Sequence, residues 1–351
     1  MKKIKLVRLG WTDFNKDYLE WIIRDYFESN NYIENTIYNP STDILVISRP
    51  EFYNKETLLK FLDQGFKLII ANLWEARPYM LAKAFKPYLN NILIILGCKN
   101  PLDYGWKHVL AVPKYFWYNE SLMYTCDQQF QYQNYIPKRK NSKLFFMPIK
   151  RSKPFRDQII TRLDDVLDQA TWSYVEQWNN GRHLKIRDNN PVASITWDRQ
   201  FESNWYDDTY FTVAVETYIN QSKIEDEIAG LRSDQAGPCE LFVTEKTYKP
   251  IAHQHPFMIC GMKGMLQFLK ESGFETYDHL FDESYDQLDF FEDRLDAIHE
   301  NIKNFSKDKY IDPLTEQKIR HNYDLFYDRT KVLDGLNTDL IEPMLEWINA
   351  K

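Results

Sequence analysis

The stretch 241-LFVTEKTYKPIAHQHPFMICGMKG-264 decides how the chain is read. It opens with apolar Leu241, Phe242 and Val243, passes into Thr244-Glu245-Lys246, continues through a segment that can be helical as far as Pro256, and is apolar again from Phe257 to Cys260. That order is strand or loop, helix, strand. Thr244 is placed to cap the helix, and the free N–H groups at the helix tip, with the positive end of its dipole, form a seat for an anion. Adjacent Glu245 and Lys246 can then divide the work on a nucleotide. The carboxylate accepts hydrogen bonds from ribose hydroxyls, and the ammonium faces phosphate. Lys249, three residues beyond Lys246, falls on the same helical face. A solvated helix start is the competing reading of the same pair.

The composition sets the limits around this stretch. A chain of 351 residues exceeds one ordinary core and suits two domains. With 44% hydrophobic and 27% charged residues it should fold as a soluble globular protein rather than stay disordered. Its 23 Tyr, 22 Phe and 10 Trp suit stacking on sugars or bases, although most of those rings should be core. Only 11 Gly are present and neither GxGxxG nor GxxxxGK[ST] occurs, so phosphate recognition would fall to helix ends and basic side chains. The net charge of -7 argues against a Lys- and Arg-coated surface for nonspecific nucleic-acid binding, while leaving room for a local basic groove. Cys98, Cys126, Cys239 and Cys260 form no CxxC pair, and the N-terminus MKKIKLVRLGW lacks a signal-peptide apolar region. No stretch reaches the roughly 20 apolar residues of a membrane span. The expectation is a cytoplasmic protein with free thiols.

Before residue 140, short apolar runs alternate with helix-like segments. The runs are Ile4 to Leu9, Asp43 to Ser48, Lys67 to Leu73, Asn91 to Leu96 and His108 to Val112; the helical segments are Lys16 to Ser29, Lys55 to Gln64 and Pro78 to Tyr88. Such alternation predicts an α/β domain with a parallel sheet, whose ligands gather at the carboxyl ends of the strands. Asp13 and Glu75 follow two of those runs. The Tyr-, Gln- and Asn-dense segment Tyr115 to Arg139, ending in PKRK, reads as a linker.

A second unit starts near residue 141. Leu144 to Met147 reads as a strand, and Pro154 onward as a helix with Ile159, Ile160 and Leu163 turned inward. Lys150, Arg151, Lys153 and Arg156 crowd the loop and helix start, where the dipole opposes cations unless an anion is there to receive them. A solvated basic loop is the alternative. Trp172 to Tyr206 reads as a variable region. Phe211 to Thr217 is a clearer strand, and Glu216 at its end faces the ligand crevice, to contact a sugar hydroxyl or to cap a helix. The acidic residues Asp282, Glu283, Asp286, Glu292 and Asp293 read as a solvated face. Leu314 to Asn349 is helical in pattern, broken near Gly335 and Pro343. The expected organisation is thus an N-terminal domain over 1–140, a second over 141–312 and closing helices over 313–351.

Several chemistries are demoted. His253 and His255 are two apart, whereas zinc ligands on a helix need a spacing of three or four. No GxSxG elbow or Cys/His nucleophile pattern occurs.

The motif FVTEKTYKPIAHQHPFMICG resembles the nucleotide-sugar signature of glycosyltransferases related to the fucosyltransferase family, in which a [YF]-x-TEK-x-[WYF]-K segment follows a strand of the C-terminal domain. The similarity runs from about Phe211 to Tyr285 and includes the elements GFETY (from Gly273) and DESYD (from Asp282), as in glycosyltransferase-like proteins of tailed bacteriophages. It is weak before residue 140. The resemblance implies a GT-B fold: two Rossmann-like domains facing a cleft, with C-terminal helices packing back on the N-terminal domain. It gives Glu245 the donor ribose and Lys246 the diphosphate. An Arg in the first loop of the C-terminal domain neutralises diphosphate in that family; Arg151 matches by place, with Lys150 or Lys153 as substitutes, and the fuller motif around that Arg is not evident. Such enzymes use no metal cofactor, because basic side chains and helix dipoles stabilise the departing diphosphate. Inverting transfer also needs a carboxylate base in the N-terminal domain, for which Glu75 is the first candidate and Asp13 the second. The implied partners are a nucleotide-sugar donor and an acceptor glycan, a protein hydroxyl or a hydroxymethylated base in phage DNA, in a host cytoplasm. A non-catalytic nucleotide- or carbohydrate-binding module is the alternative function.

Overall fold

Each short, Ile- and Leu-rich run that the sequence marks in its first half contains a strand, and these strands lie parallel, as apolar residues on both faces require. These positions come from a computed structural model, which describes residues 5–8, 43–47, 55–72, 83–101, 105–126, 140–149, 153–179, 182–188, 203–219 and 239–350. In chain order the described strands are β1 (Lys5–Arg8), β2 (Asp43–Ile47), β3 (Lys67–Asn72), β4 (Ile92–Leu96), β5 (Lys99–Pro101), β6 (Val109–Ala111), β7 (Lys143–Pro148), β8 (Ala170–Asn179), β9 (Arg182–Asp188), β10 (Thr209–Val215), β11 (Cys239–Leu241) and β12 (Phe257–Cys260). The chain divides into two compact units. One holds Met1–Met123, Pro238–Phe242 and Arg329–Lys351, and the other Tyr124–Gly237 and Val243–Asp328. No helix among the described residues is long and apolar enough to cross a membrane.

In the first unit a parallel sheet runs β1-β2-β3-β4-β6, in chain order without reversal, and β5 pairs antiparallel with β11. Leu68, Ile69 and Ile70 of β3 and all of β4 are buried. The Lys55–Asp63 helix buries Leu58 and Leu62 while Glu56 and Lys60 stay exposed, the division that an amphipathic crossover predicts. The last helix, Glu342–Asn349, is held by Lys67 at the start of β3. Its ammonium donates to the carbonyls of Trp347 (3.1 Å), Ile348 (2.9 Å) and Ala350 (2.9 Å), which places a cation on the negative end of the helix dipole. Gly335, in the Arg329–Leu336 helix, allows a close approach. A Cβ there would lie 2.5 Å from the Tyr118 hydroxyl, which donates to Asp339 at 2.6 Å.

Tyr118 belongs to a helix, Tyr115–Cys126, where the sequence reads as a linker. Tyr115, Phe116, Trp117, Tyr118 and Leu122 are all buried, so the aromatic density marks core rather than an exposed crossing segment.

The second unit is built on a sheet of order β12-β10-β7-β8-β9. The first four strands are parallel neighbours, and β9 returns antiparallel beside β8. The β8–β9 hairpin occupies much of what composition marks as a variable region. From β7 the chain goes first to one side, to β8, and later to the other, to β10; the order therefore reverses between β7 and β10. In an open parallel sheet the carboxyl ends at such a reversal flank the natural ligand crevice. Phe145, Phe146, Phe211 and Val213 form the buried middle of this sheet. The Pro154–Arg162 helix that follows β7 buries Ile159 and Ile160, with Leu163 buried just beyond, as its spacing predicts.

Further helices complete the unit. Pro313–Phe326 packs against Glu245–Ala252, so the C-terminal helical stretch is shared: residues up to Asp328 belong here and those from Arg329 to the first unit. Asp286, expected on a solvated acidic face, is instead 4% exposed and accepts the backbone N–H of Leu266 (3.0 Å) and Gln267 (3.2 Å). Burial raises its pKa, while those N–H groups pull it down. It satisfies the first turn of the Met265–Glu271 helix, whose N-cap, Gly264, has no side chain to do so.

Candidate functional site

The Glu245–Ala252 helix starts where the sequence places it, and its residues divide by face. Thr247, Tyr248, Ile251 and Ala252 are buried, whereas Glu245, Lys246 and Lys249 are partly exposed. Tyr248 anchors the helix, with its ring 5.9 Å from that of Phe274 and 6.4 Å from that of Phe326. The helix bridges into β12, which lies parallel to β10, so its N-terminus stands at the carboxyl end of the sheet.

Thr244 is the N-cap, with extended backbone and its hydroxyl oxygen accepting the Lys246 N–H at 3.4 Å. Its hydroxyl proton goes elsewhere, to Glu216 Oε2 at 2.6 Å. Glu216, the residue directly after β10, is 0% exposed. Its Oε1 accepts the Thr244 N–H (3.0 Å) and the Thr247 hydroxyl (2.6 Å); its Oε2 also accepts the Thr217 N–H (3.1 Å). With both oxygens occupied and no exposed surface, Glu216 does not present its carboxylate to a sugar hydroxyl. Of the two sequence readings of Glu216, direct contact with a sugar hydroxyl is corrected, because the hydrogen-bond capacity that a ligand would use is already taken by the chain. The bonds to the Thr244 N–H and Thr247 hydroxyl are those of the helix-capping reading. Gly261, after β12, makes room for this arrangement, because a Cβ there would come within 2.9 Å of Glu216 Cβ and 2.8 Å of Met265 Sδ.

Three cations converge on the segment just past Glu216. The Lys246 ammonium contacts the Thr217 hydroxyl (3.1 Å), the Thr244 hydroxyl (3.3 Å) and Glu245 Oε1 (2.6 Å). Lys153, from the loop after β7, donates to the Thr217 carbonyl at 2.8 Å and sits 5.2 Å over the Tyr218 ring. Arg156, 5% exposed, donates to the Glu216 carbonyl at 3.1 Å. Lys153 is also the N-cap of the Pro154–Arg162 helix and makes no side-chain cap. Cations from the β7 end and the helix tip thus meet across the end of β10, at the reversal of strand order. Burial works to raise the Glu245 pKa, but the charges of Lys246 and Lys249 and the Lys246 hydrogen bond outweigh it and hold the carboxyl near 2. Glu245 is therefore ionised at any working pH, an acceptor only.

Of the residues singled out by sequence, the structure brings together Thr244, Glu245, Lys246, Lys153 and Glu216. Lys249 stands one turn further along the helix, and its positive charge reaches Glu245 from there. Lys150, Arg151, Glu75 and Asp13 lie outside the described residues. Arg156 is visible in the sequence as one of four crowded cations, yet nothing there marks it as buried.

The histidines of 253-HQH-255 are built into the core beneath the helix. His255 Nε2 lies 2.9 Å from the Thr209 carbonyl, which can only accept, so Nε2 carries the proton and Nδ1 accepts from the Thr212 hydroxyl at 2.7 Å. His253 stacks on Tyr206, with centroids 4.3 Å apart and planes at 9°. Burial, reinforced by the charge of Lys249, lowers its pKa from 6.5 to about 3. The folded state holds this ring neutral, so the unfolded chain takes up the proton first. The contribution is complete above pH 6.5 and is lost as the pH falls towards 3. Acidification to about pH 5 is expected to cost about 2 kcal/mol from this residue. His253→Phe, which keeps a stacked ring without a proton, should flatten urea-midpoint stability against pH; an unchanged slope would remove His253 as the source. A search of protein-family models and of curated proteins found no match to this chain.

Proposed function

We propose that the chain is a glycosyltransferase that takes a nucleotide-activated sugar and transfers the sugar to an acceptor hydroxyl. In this reading the second unit binds the donor and the first supplies the acceptor side, in a GT-B arrangement. The observation that carries the reading is the meeting of Lys153 and Lys246 on Thr217, at the reversal of strand order and beside a Thr-capped helix tip. Two lysines and a helix dipole aimed at one point suit a diphosphate, whose oxygens they would hold as charge develops on the departing nucleotide. Donor binding opens the Glu245–Lys246 ion pair: phosphate takes the ammonium, and Glu245, ionised and freed, accepts ribose hydroxyls. Lys150 and Arg151 join the diphosphate side, and Glu75 or Asp13 serves as the base that takes the acceptor proton. The acceptor is a glycan or a hydroxymethylated base in phage DNA.

A thermal-shift screen against nucleoside diphosphates and their sugars tests the binding step. A ligand present at about 100 times its Kd should stabilise the folded chain by about 2.7 kcal/mol. No shift with any nucleoside diphosphate would sink the reading. Binding without release of sugar from any nucleotide sugar would favour a non-catalytic module instead.

A further inference from the structure

We infer that Glu216 is a positioning residue that sets the polarity and place of the donor-binding tip from beneath it; this rests on the nucleotide-sugar reading above. Glu216 is 28 residues from Thr244 in sequence and is 0% exposed, and among the described residues its carboxylate is held by Thr217, Thr244 and Thr247. Its carboxylate can only accept, so it fixes where every neighbouring proton points. The Thr244 hydroxyl must donate to Glu216 Oε2, which leaves only lone pairs on the Thr244 oxygen for the Lys246 N–H and ammonium. The Thr247 hydroxyl must donate to Oε1, which ties the first helical turn to the end of β10. The backbone N–H groups of Thr217 and Thr244 close the same carboxylate, so the segment that Lys153 and Lys246 both contact is held against the helix tip by one side chain.

An isosteric amide would break this order. Glu216→Gln keeps the shape but turns one oxygen into a donor, so either the Thr244 or the Thr247 hydroxyl must face an N–H. If Thr244 rotates its proton away from Glu216, that proton meets the Lys246 ammonium, another donor. The effect on the site is therefore a reversal of hydrogen-bond direction at a buried point, where water cannot compensate.

The test measures binding of UDP, GDP, ADP and inorganic pyrophosphate to the full chain by calorimetry. Glu216→Gln is expected to lose about tenfold in affinity for the nucleoside diphosphate that the wild type binds, equivalent to about 1.4 kcal/mol. The loss should be smaller when Lys246→Ala is already present, because the carboxylate acts through the tip; residues in one network are not additive. Full affinity in a folded Glu216→Gln, or strict additivity with Lys246→Ala, overturns the inference while leaving the nucleotide reading intact. If Glu216→Gln does not fold, the Thr247 pair decides: Thr247→Ser should keep affinity and Thr247→Val lose it, and equal affinities in those two overturn the inference. A wild type that binds none of the probes overturns the inference and the reading together.

Discussion

Lys246→Ala is expected to weaken nucleoside diphosphate binding by about 10- to 100-fold, the worth of a hydrogen bond to a charged group, about 1.5–3 kcal/mol. Two effects add. The ammonium that meets phosphate is gone, and Glu245 loses the partner 2.6 Å away that neutralises it. The carboxyl then faces an anionic ligand without that partner, although the charge of Lys249 still acts on it. Glu245→Ala removes a ribose contact but also frees Lys246 from its ion pair, so its loss should be the smaller of the two. That order separates the nucleotide reading from a solvated helix start, in which neither substitution matters. The fold should survive both changes. Lys246 and Glu245 side chains are 30% and 22% exposed, and partly exposed ion pairs contribute about 0–1 kcal/mol. Binding of UDP, GDP and ADP by calorimetry at two salt concentrations decides the matter; wild-type affinity in Lys246→Ala would remove the lysine from the site.

Much of this fold can be read in the sequence because the signal is local. Strand β4 is an unbroken apolar run and β3 is apolar from Leu68 to Ala71, and Thr244 ahead of a helix needs only its neighbours to be recognised as a cap. The misread parts are those where composition stands in for packing. Tyr115–Cys126 carries Tyr, Asn and Glu like a linker, but its rings are buried on several sides and leave no amphipathic stripe to see. The β8–β9 hairpin has a local mark, Asn180-Gly181 between two segments rich in Trp, Tyr, Val and Ile, which is a strong short-range hairpin signal. Glu216 is a different case. Its place at the end of β10 is legible from FTVAVET, yet whether a strand-end carboxylate faces ligand or backbone depends on Thr244 and Thr247, which only the fold brings beside it. Asp286 turns from surface charge to helix-capping group for the same reason.

Phe211→Ala should cost about 3–5 kcal/mol, the range for emptying a buried phenylalanine site. The ring is 0% exposed on β10, the strand that lies beside the reversal of strand order and that Glu216 directly follows. It stacks on Phe145 of the paired strand at 5.9 Å, with planes at 15°, and meets Phe281 at 5.0 Å and Phe305 at 4.9 Å. Those neighbours come from a strand and two separate loops, so they cannot all close on the void by one small shift. A loss of that size is a large share of the roughly 5–15 kcal/mol typical of a whole domain, and it should show as a lower urea midpoint with little change in slope. Phe211→Leu, which keeps most of the volume, should lose far less. The ring of Phe211 packs on Phe145, Phe281 and Phe305, whereas the carboxylate of Glu216, just past the end of β10, is held by Thr217, Thr244 and Thr247. A nucleoside diphosphate that binds the wild type should therefore stabilise folded Phe211→Ala by the same increment, since ligand stabilisation depends on affinity and not on the starting stability. If the increment disappears while the protein remains folded, the core face and the tip are mechanically one structure; if the urea midpoint barely moves, the phenylalanine cluster is not the packed centre of the second unit.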